Sequence, residues 1–180
     1  LRRNVAFISI SLDETKVNQE QLIMSERKQA IKGKLTETRD YLNSLLDQVG
    51  DRWEQQVYSD GLGWTVRQLV NHLTDADRGH MNQAMTYAEG GELVPADFDI
   101  ERYNAHITKK TAEKSPTQAR AELAAQRQQI FEWLDNVDEA KLDLKGRHAT
   151  LKMMSVEEIL RYSAAHERQH AVELEDALEN

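Results

Sequence analysis

Apolar residues recur along this chain at three- and four-residue steps, the spacing of one face of an α-helix. Between Ser25 and Val49 the series is Ile31, Leu35, Leu42, Leu45 and Val49, with Thr38 in the remaining place and Gly50 as a stop. Residues 51–63 read as a connection broken by Gly61 and Gly63. Thr65 and Gln68 then have the spacing of a capping box, which predicts a helix from Val66 to a point before Gly90. Its buried face carries Leu69, His72, Leu73, Ala76, His80 and Ala84. Pro95 opens a less regular stretch in which Phe98, Arg102, Tyr103 and His106 suggest a short helix. Ser115-Pro116-Thr117-Gln118 is a second helix start, followed by Ala119, Leu123, Ile130 and Leu134 on one face. After a connection over 135–154, Ser155-Val156-Glu157-Glu158 is a third, and Ile159, Leu160, Ser163, His166, His170 and Leu174 share one side of the last helix.

Four long helices and almost no strand pattern predict an all-α four-helix bundle. The long link between the second and third helices predicts one crossover connection, with the short extra helix inside it. At 180 residues the chain is most simply one domain. The domain proper is expected over 24–180, starting at Met24, with residues 1–23 as an N-terminal extension. The apolar run Val5–Leu12 within that extension is too short to span a bilayer, and no small-residue cleavage site follows it.

A net charge of −8 argues against nucleic acid and against an anionic membrane surface as partners. The chain has no cysteine, which excludes disulfides, thiolate metal sites and a cysteine nucleophile. It is expected to work in the cytoplasm, and any thiol chemistry would need a thiol from outside.

His166 and His170, in His-Glu-Arg-Gln-His, lie one turn apart on one helix face. His72 lies on the apolar face of a different helix. Three imidazoles converging on one ion would leave a coordination position open, as catalytic zinc sites do. Imidazole suits zinc, nickel, copper and iron alike. The bland reading is that these are ordinary half-buried histidines, and the residues alone leave both readings open. The formal metalloprotease motif H-E-x-x-H, with Glu167 as base, is discounted: only ten residues follow His170, and Glu173 stands where an extended motif needs glycine. His80, two turns beyond His72 on the same face, either lines a pocket or, the preferred reading, is a satisfied core histidine. His106 and His148 lie in connecting segments and either overhang the site or face water. Ligand imidazoles need acceptors to fix their tautomers, a role open to Asp75, Glu167 or backbone carbonyls.

The run Gly63-Trp64-Thr65-Val66-Arg67-Gln68-Leu69-Val70-Asn71-His72-Leu73, together with Ser155-Val156-Glu157-Glu158 and His166-Glu167-Arg168-Gln169-His170, resembles the DinB/YfiT-like superfamily of metalloenzymes. The resemblance covers nearly all of residues 25–178. It implies an up-down-down-up bundle, often a homodimer, with a divalent metal, commonly zinc or nickel, on His72, His166 and His170. Characterised relatives include enzymes that use low-molecular-weight thiols, such as maleylpyruvate isomerases and S-transferases. The expectation is therefore a metal-dependent enzyme acting on a small-molecule substrate, either a hydrolase or a thiol S-transferase. Glu167 and Asp75 are its acid–base or supporting candidates. The alternative is a non-catalytic protein that binds or sequesters a small molecule.

Overall fold

A computed structural model describes residues 12–58 and 63–179, with side chains from residue 26 onward. Among the described residues there are five α-helices: α1 (Leu12–Leu46), α2 (Val66–Ala88), α3 (Ile100–Lys110), α4 (Pro116–Asn136) and α5 (Val156–Glu179). Short 3-10 turns occupy Arg52–Glu54 and Glu139–Asp143.

Three of the helix starts are where local chemistry puts them. Thr65 and Ser115 cap α2 and α4 in reciprocal boxes with Gln68 and Gln118. At α5 the Glu158 N–H donates to Ser155 Oγ (3.1 Å) while the Ser155 N–H donates to Glu158 Oε2 (2.6 Å). Each box satisfies two amide donors that the first helical turn leaves without partners. Asp99 caps α3 by accepting from the Arg102 N–H at 2.9 Å.

Helix α1 departs from expectation at both ends. It starts at Leu12 rather than Ser25, so the expected boundary between residues 23 and 24 falls inside it. No proline or glycine interrupts residues 12–24, and Glu, Gln, Lys and Leu there all favour helix. It ends at Leu46, and the chain reverses through Gly50, whose φ of 61° suits glycine. The apolar run at residues 5–12 lies almost wholly outside the described residues. No helix among the described residues is long and apolar enough to cross a membrane.

The helix directions follow from what packs with what. One core layer joins Ile31 and Leu35 of α1, Ala84 and Ala88 of α2, Ile130 and Leu134 of α4, and Ile159 and Leu160 of α5. The other joins Leu42 and Leu45 of α1, Leu69 and Leu73 of α2, Ala119 and Leu123 of α4, and Ala171 and Leu174 of α5. From the first layer to the second, numbers rise in α1 and α5 and fall in α2 and α4. The bundle is therefore up-down-down-up. Its two parallel neighbours α2 and α4 need the long crossover that contains α3.

A charged layer lies between the two apolar ones, with one residue from each bundle helix. The carboxylate of Glu167 (α5) accepts from Arg39 Nη2 of α1 at 2.7 Å and from Arg127 Nη2 of α4 at 3.1 Å. Asp77 (α2) accepts from the same two nitrogens at 3.1 and 3.4 Å, and from Ser163 Oγ at 3.1 Å.

The connection before α5 contains a hairpin that no periodicity predicted, because its strands are three residues each: β1 (Lys145–Arg147) and β2 (Met153–Ser155), paired antiparallel. The hairpin is moored to α2 by the Tyr87 hydroxyl, which donates to the Arg147 carbonyl at 2.5 Å. Gly146 lies flat on the Tyr87 ring, where an added Cβ would stand 2.3 Å from ring carbons. Gly146→Ala is expected to lower stability by about 1–3 kcal/mol through overpacking, measurable by urea unfolding. At the hairpin tip His148 is 1% exposed, and its N–H donates to the Lys152 carbonyl at 2.8 Å.

Candidate metal centre

Helices α2 and α5 bring His72, His166 and His170 together. His166 Nε2 lies 3.3 Å from His72 Nε2 and 3.2 Å from His170 Nε2, and one nitrogen from each ring falls within 4.8 Å of the others. Two nitrogens about 2.05 Å from a tetrahedral zinc are separated by about 3.3 Å, and the spacings of His166 from His72 and from His170 match that value.

The protonation pattern also fits. His170 Nδ1 lies 2.6 Å from Glu173 Oε2. A carboxylate only accepts, so Nδ1 carries the proton and Nε2 presents a bare lone pair toward the cluster. Tyr58 donates its hydroxyl to the same carboxylate, and Gln169 Nε2 donates to its other oxygen at 3.0 Å. Burial opposes ionisation of Glu173, but Tyr58, Gln169 and His170 together outweigh it and hold the carboxyl below its usual range. Burial lowers the pKa of His72 to about 3, with His166 and His170 adding to the effect. Burial and His170 bring His166 down to about 4. Burial also lowers His170, against the pull of Glu173. All three rings are neutral at pH 7, the form that binds a metal. The indole of Trp64 covers His72, with ring centres 4.6 Å apart.

Of the two acid–base candidates, one reaches this region. Asp75, one turn after His72, lines a cavity of about 320 Å³ beside the cluster, together with His72, His80, His148, Tyr162 and His166. Arg78 (2.8 Å) and the Tyr103 hydroxyl (2.8 Å) both donate to the Asp75 carboxylate. Burial and that bond raise the Tyr103 phenol to about 12, so it remains a donor. Glu167 belongs instead to the charged layer of the core. Besides its two arginines it accepts from Thr38 Oγ1 at 2.9 Å. Its neighbour His166 points to a different flank of α5, since adjacent helical residues diverge by about 100°. The buried stripe of α5 runs through Leu160, Ser163, Glu167, Ala171 and Leu174, and the histidines border it rather than share it.

Glu173 and Tyr58 were not singled out by sequence reasoning. Glu173 had a readable signal, an acceptor three residues after His170 on the same face. Tyr58 had none. His80 is buried and lines the cavity rather than resting satisfied in the core, because its Nδ1 has no partner. His148 overhangs the cavity, and His106 faces solvent.

Two predictions follow from this geometry. Glu173→Gln keeps the shape but loses the charge that orients His170, and should weaken metal affinity by about 10–100-fold in a chelator competition. Unchanged affinity would remove Glu173 from the site. The second concerns pH. Burial brings the pKa of His148 down to about 4, and His80 is depressed by burial and its neighbouring imidazoles. Folded pKa values below the unfolded value near 6.5 mean that the unfolded chain takes up protons first. Their stabilising contribution is complete above pH 6.5 and is lost as pH falls through the folded values. Metal-free protein should therefore lose stability steadily from pH 6.5 toward 5, before the carboxylates titrate. A flat urea midpoint across that window would contradict this.

No curated protein sequence matches the chain. The solved structure of YfiT from Bacillus subtilis, described as a probable metal-dependent hydrolase with an unusual four-helix bundle topology, is similar with a TM-score of 0.66. The match covers 97% of this chain and 91% of that one at 17% identity, and it speaks for a shared fold. The sequence profile of the DinB superfamily matches residues 34–174, a span that includes all three clustered histidines. Matched over well more than half its length, the chain belongs to the DinB superfamily.

Proposed function

We propose that this protein is a metal-dependent enzyme that holds one divalent ion, zinc or nickel, on His72, His166 and His170. The observation that carries the reading is the pair of 3.2 and 3.3 Å spacings among imidazole nitrogens at the wall of a ligand-sized cavity. When bound, the metal supplies Lewis acidity that activates water or a low-molecular-weight thiol. Glu173 and Tyr58 hold His170 in its ligating tautomer. Asp75, fixed by Arg78 and Tyr103 on the cavity wall, is the group this reading keeps for proton transfer. Glu167, with its oxygens engaged by Thr38 and two arginines, has no part in it. The description of YfiT as a probable metal-dependent hydrolase supports the hydrolytic form of the reading. A small-molecule substrate, a cytoplasmic setting and a homodimer belong to the same proposal.

The test is turnover of uncharged esters by metal-loaded protein, with and without added low-molecular-weight thiol. Product without thiol identifies a hydrolase, and product only with thiol a transferase. Either activity should vanish on chelation and in His170→Ala. Activity that survives both would sink the metal mechanism. The second reading, a protein that binds without turnover, is favoured by the same cavity. Ligand binding undiminished by chelator, with no product, would select it.

A further inference from the structure

Three residues of the cavity wall carry buried polar atoms with no hydrogen-bond partner among the described residues: His80 Nδ1, Gln83 Oε1 and His148 Nε2. Their side chains belong to residues 7%, 5% and 1% exposed. Buried polar atoms are nearly always paired; these three have almost no accessible surface of their own, so a partner from the cavity reaches them when the neighbouring wall side chains give way.

For His148 the missing partner can be specified. The Thr150 backbone N–H donates to His148 Nδ1 at 3.2 Å, and the Thr150 hydroxyl lies 3.0 Å from the same nitrogen. An amide N–H cannot donate to a protonated nitrogen, so Nδ1 is bare and the proton is on Nε2. His148 therefore offers a fixed N–H donor without an acceptor. The tight turn that closes the hairpin leaves it little freedom: the Leu151 N–H donates to the His148 carbonyl at 2.8 Å, and Leu151 takes a φ of 64°.

The rest of the cavity restricts what can approach that donor. Its apolar lining is formed by Leu93, Val94, Pro95, Phe98 and Ile100. No lysine or arginine is among the described lining residues, so the wall itself offers an anion no counter-charge. The one lining carboxylate, Asp75, is already matched by Arg78. That pairing leaves a cation no unmatched carboxylate on the lining, with or without a metal.

We propose that the cavity selects a small uncharged molecule with a carbonyl-type acceptor, its oxygen receiving the His148 Nε2–H and its apolar body against residues 93–100. As a statement about substrate this rests on the enzymatic reading above. As a statement about binding it stands without metal, and it is tested on metal-free protein so that the two can fail separately.

The probes are acetophenone, ethylbenzene, benzoate and benzylammonium, similar in size and different in polar group, with affinities read by ligand-detected NMR titration. Acetophenone should bind roughly tenfold more tightly than ethylbenzene, the value of one hydrogen bond to a buried donor, and more tightly than either ion. His148→Phe should erase the preference over ethylbenzene. His148→Gln, whose amide nitrogen reaches about the position of Nε2, should restore it. Equal binding of acetophenone and ethylbenzene in the wild type would mean that water satisfies Nε2–H, and would overturn the proposal. So would tighter binding of benzoate, or an unchanged preference in a folded His148→Phe protein. If His148→Phe does not fold, the wild-type series and His148→Gln still decide.

Discussion

Protein purified without added metal is expected to carry about one equivalent of zinc or nickel, and the His166→Ala/His170→Ala double variant to carry none. A four-ligand zinc site is worth about 10–16 kcal/mol, or roughly 3 kcal/mol per ligand, so losing two ligands should weaken binding by roughly four orders of magnitude. The variant should still fold. Both histidines border the buried stripe of α5 rather than belong to it, and Ala is the best helix former at either position. The measurement is elemental mass spectrometry beside a thermal melt. Metal should raise the wild-type midpoint and leave that of the variant unchanged, since an ion stabilises only the state that binds it. A double variant that keeps its metal, or a wild type that takes up none on titration, would return the cluster to ordinary half-buried histidines.

Glu167→Ala is expected to cost about 3–5 kcal/mol of stability, the usual consequence of removing one partner from a buried ion pair. Its carboxylate is the shared acceptor for Arg39 and Arg127, whose side chains are both 7% exposed. Without it, two guanidinium groups face the single carboxylate of Asp77. Burial already lowers the pKa of Arg127, against the attraction of Asp77 and Glu167, so this cation has little solvation to fall back on. Against a total stability of about 5–15 kcal/mol the loss is large. The figure measures stranded charge rather than the worth of the intact layer, because replacing all four groups by apolar residues would strand nothing. Urea unfolding with an unchanged m-value checks the prediction. If Glu167→Ala instead kept full stability and lost turnover, the acid–base role first considered for Glu167 would be correct after all.

The contrast between Glu167 and its neighbour His166 separates what could be read along the chain from what could not. Capping boxes at Thr65, Ser115 and Ser155 were legible because both partners lie three residues apart, and α2, α4 and α5 begin where those spacings predict. The pairing of His166 with His170 was legible for the same reason, and their approach to His72 was expected from the resemblance. The charged layer was legible in part. Arg39, Asp77, Arg127 and Glu167 each interrupt an apolar stripe, the last three near mid-helix, and a charge in such a place needs a partner. Their mutual choice was not legible, since Glu167 and Arg39 are 128 residues apart.

By itself, then, the sequence determined the four long helices, the starts of α2, α4 and α5, and the placing of His166 and His170 on one face, because those depend on interactions within one or two turns. Tertiary structure decided which flank of α5 meets α2, that Glu167 lies in the core while Glu173 joins Tyr58 beside His170, and that a three-residue-strand hairpin carries His148 to the cavity. Those outcomes depend on packing the apolar layers and pairing the charges across the bundle, and no local periodicity encodes either.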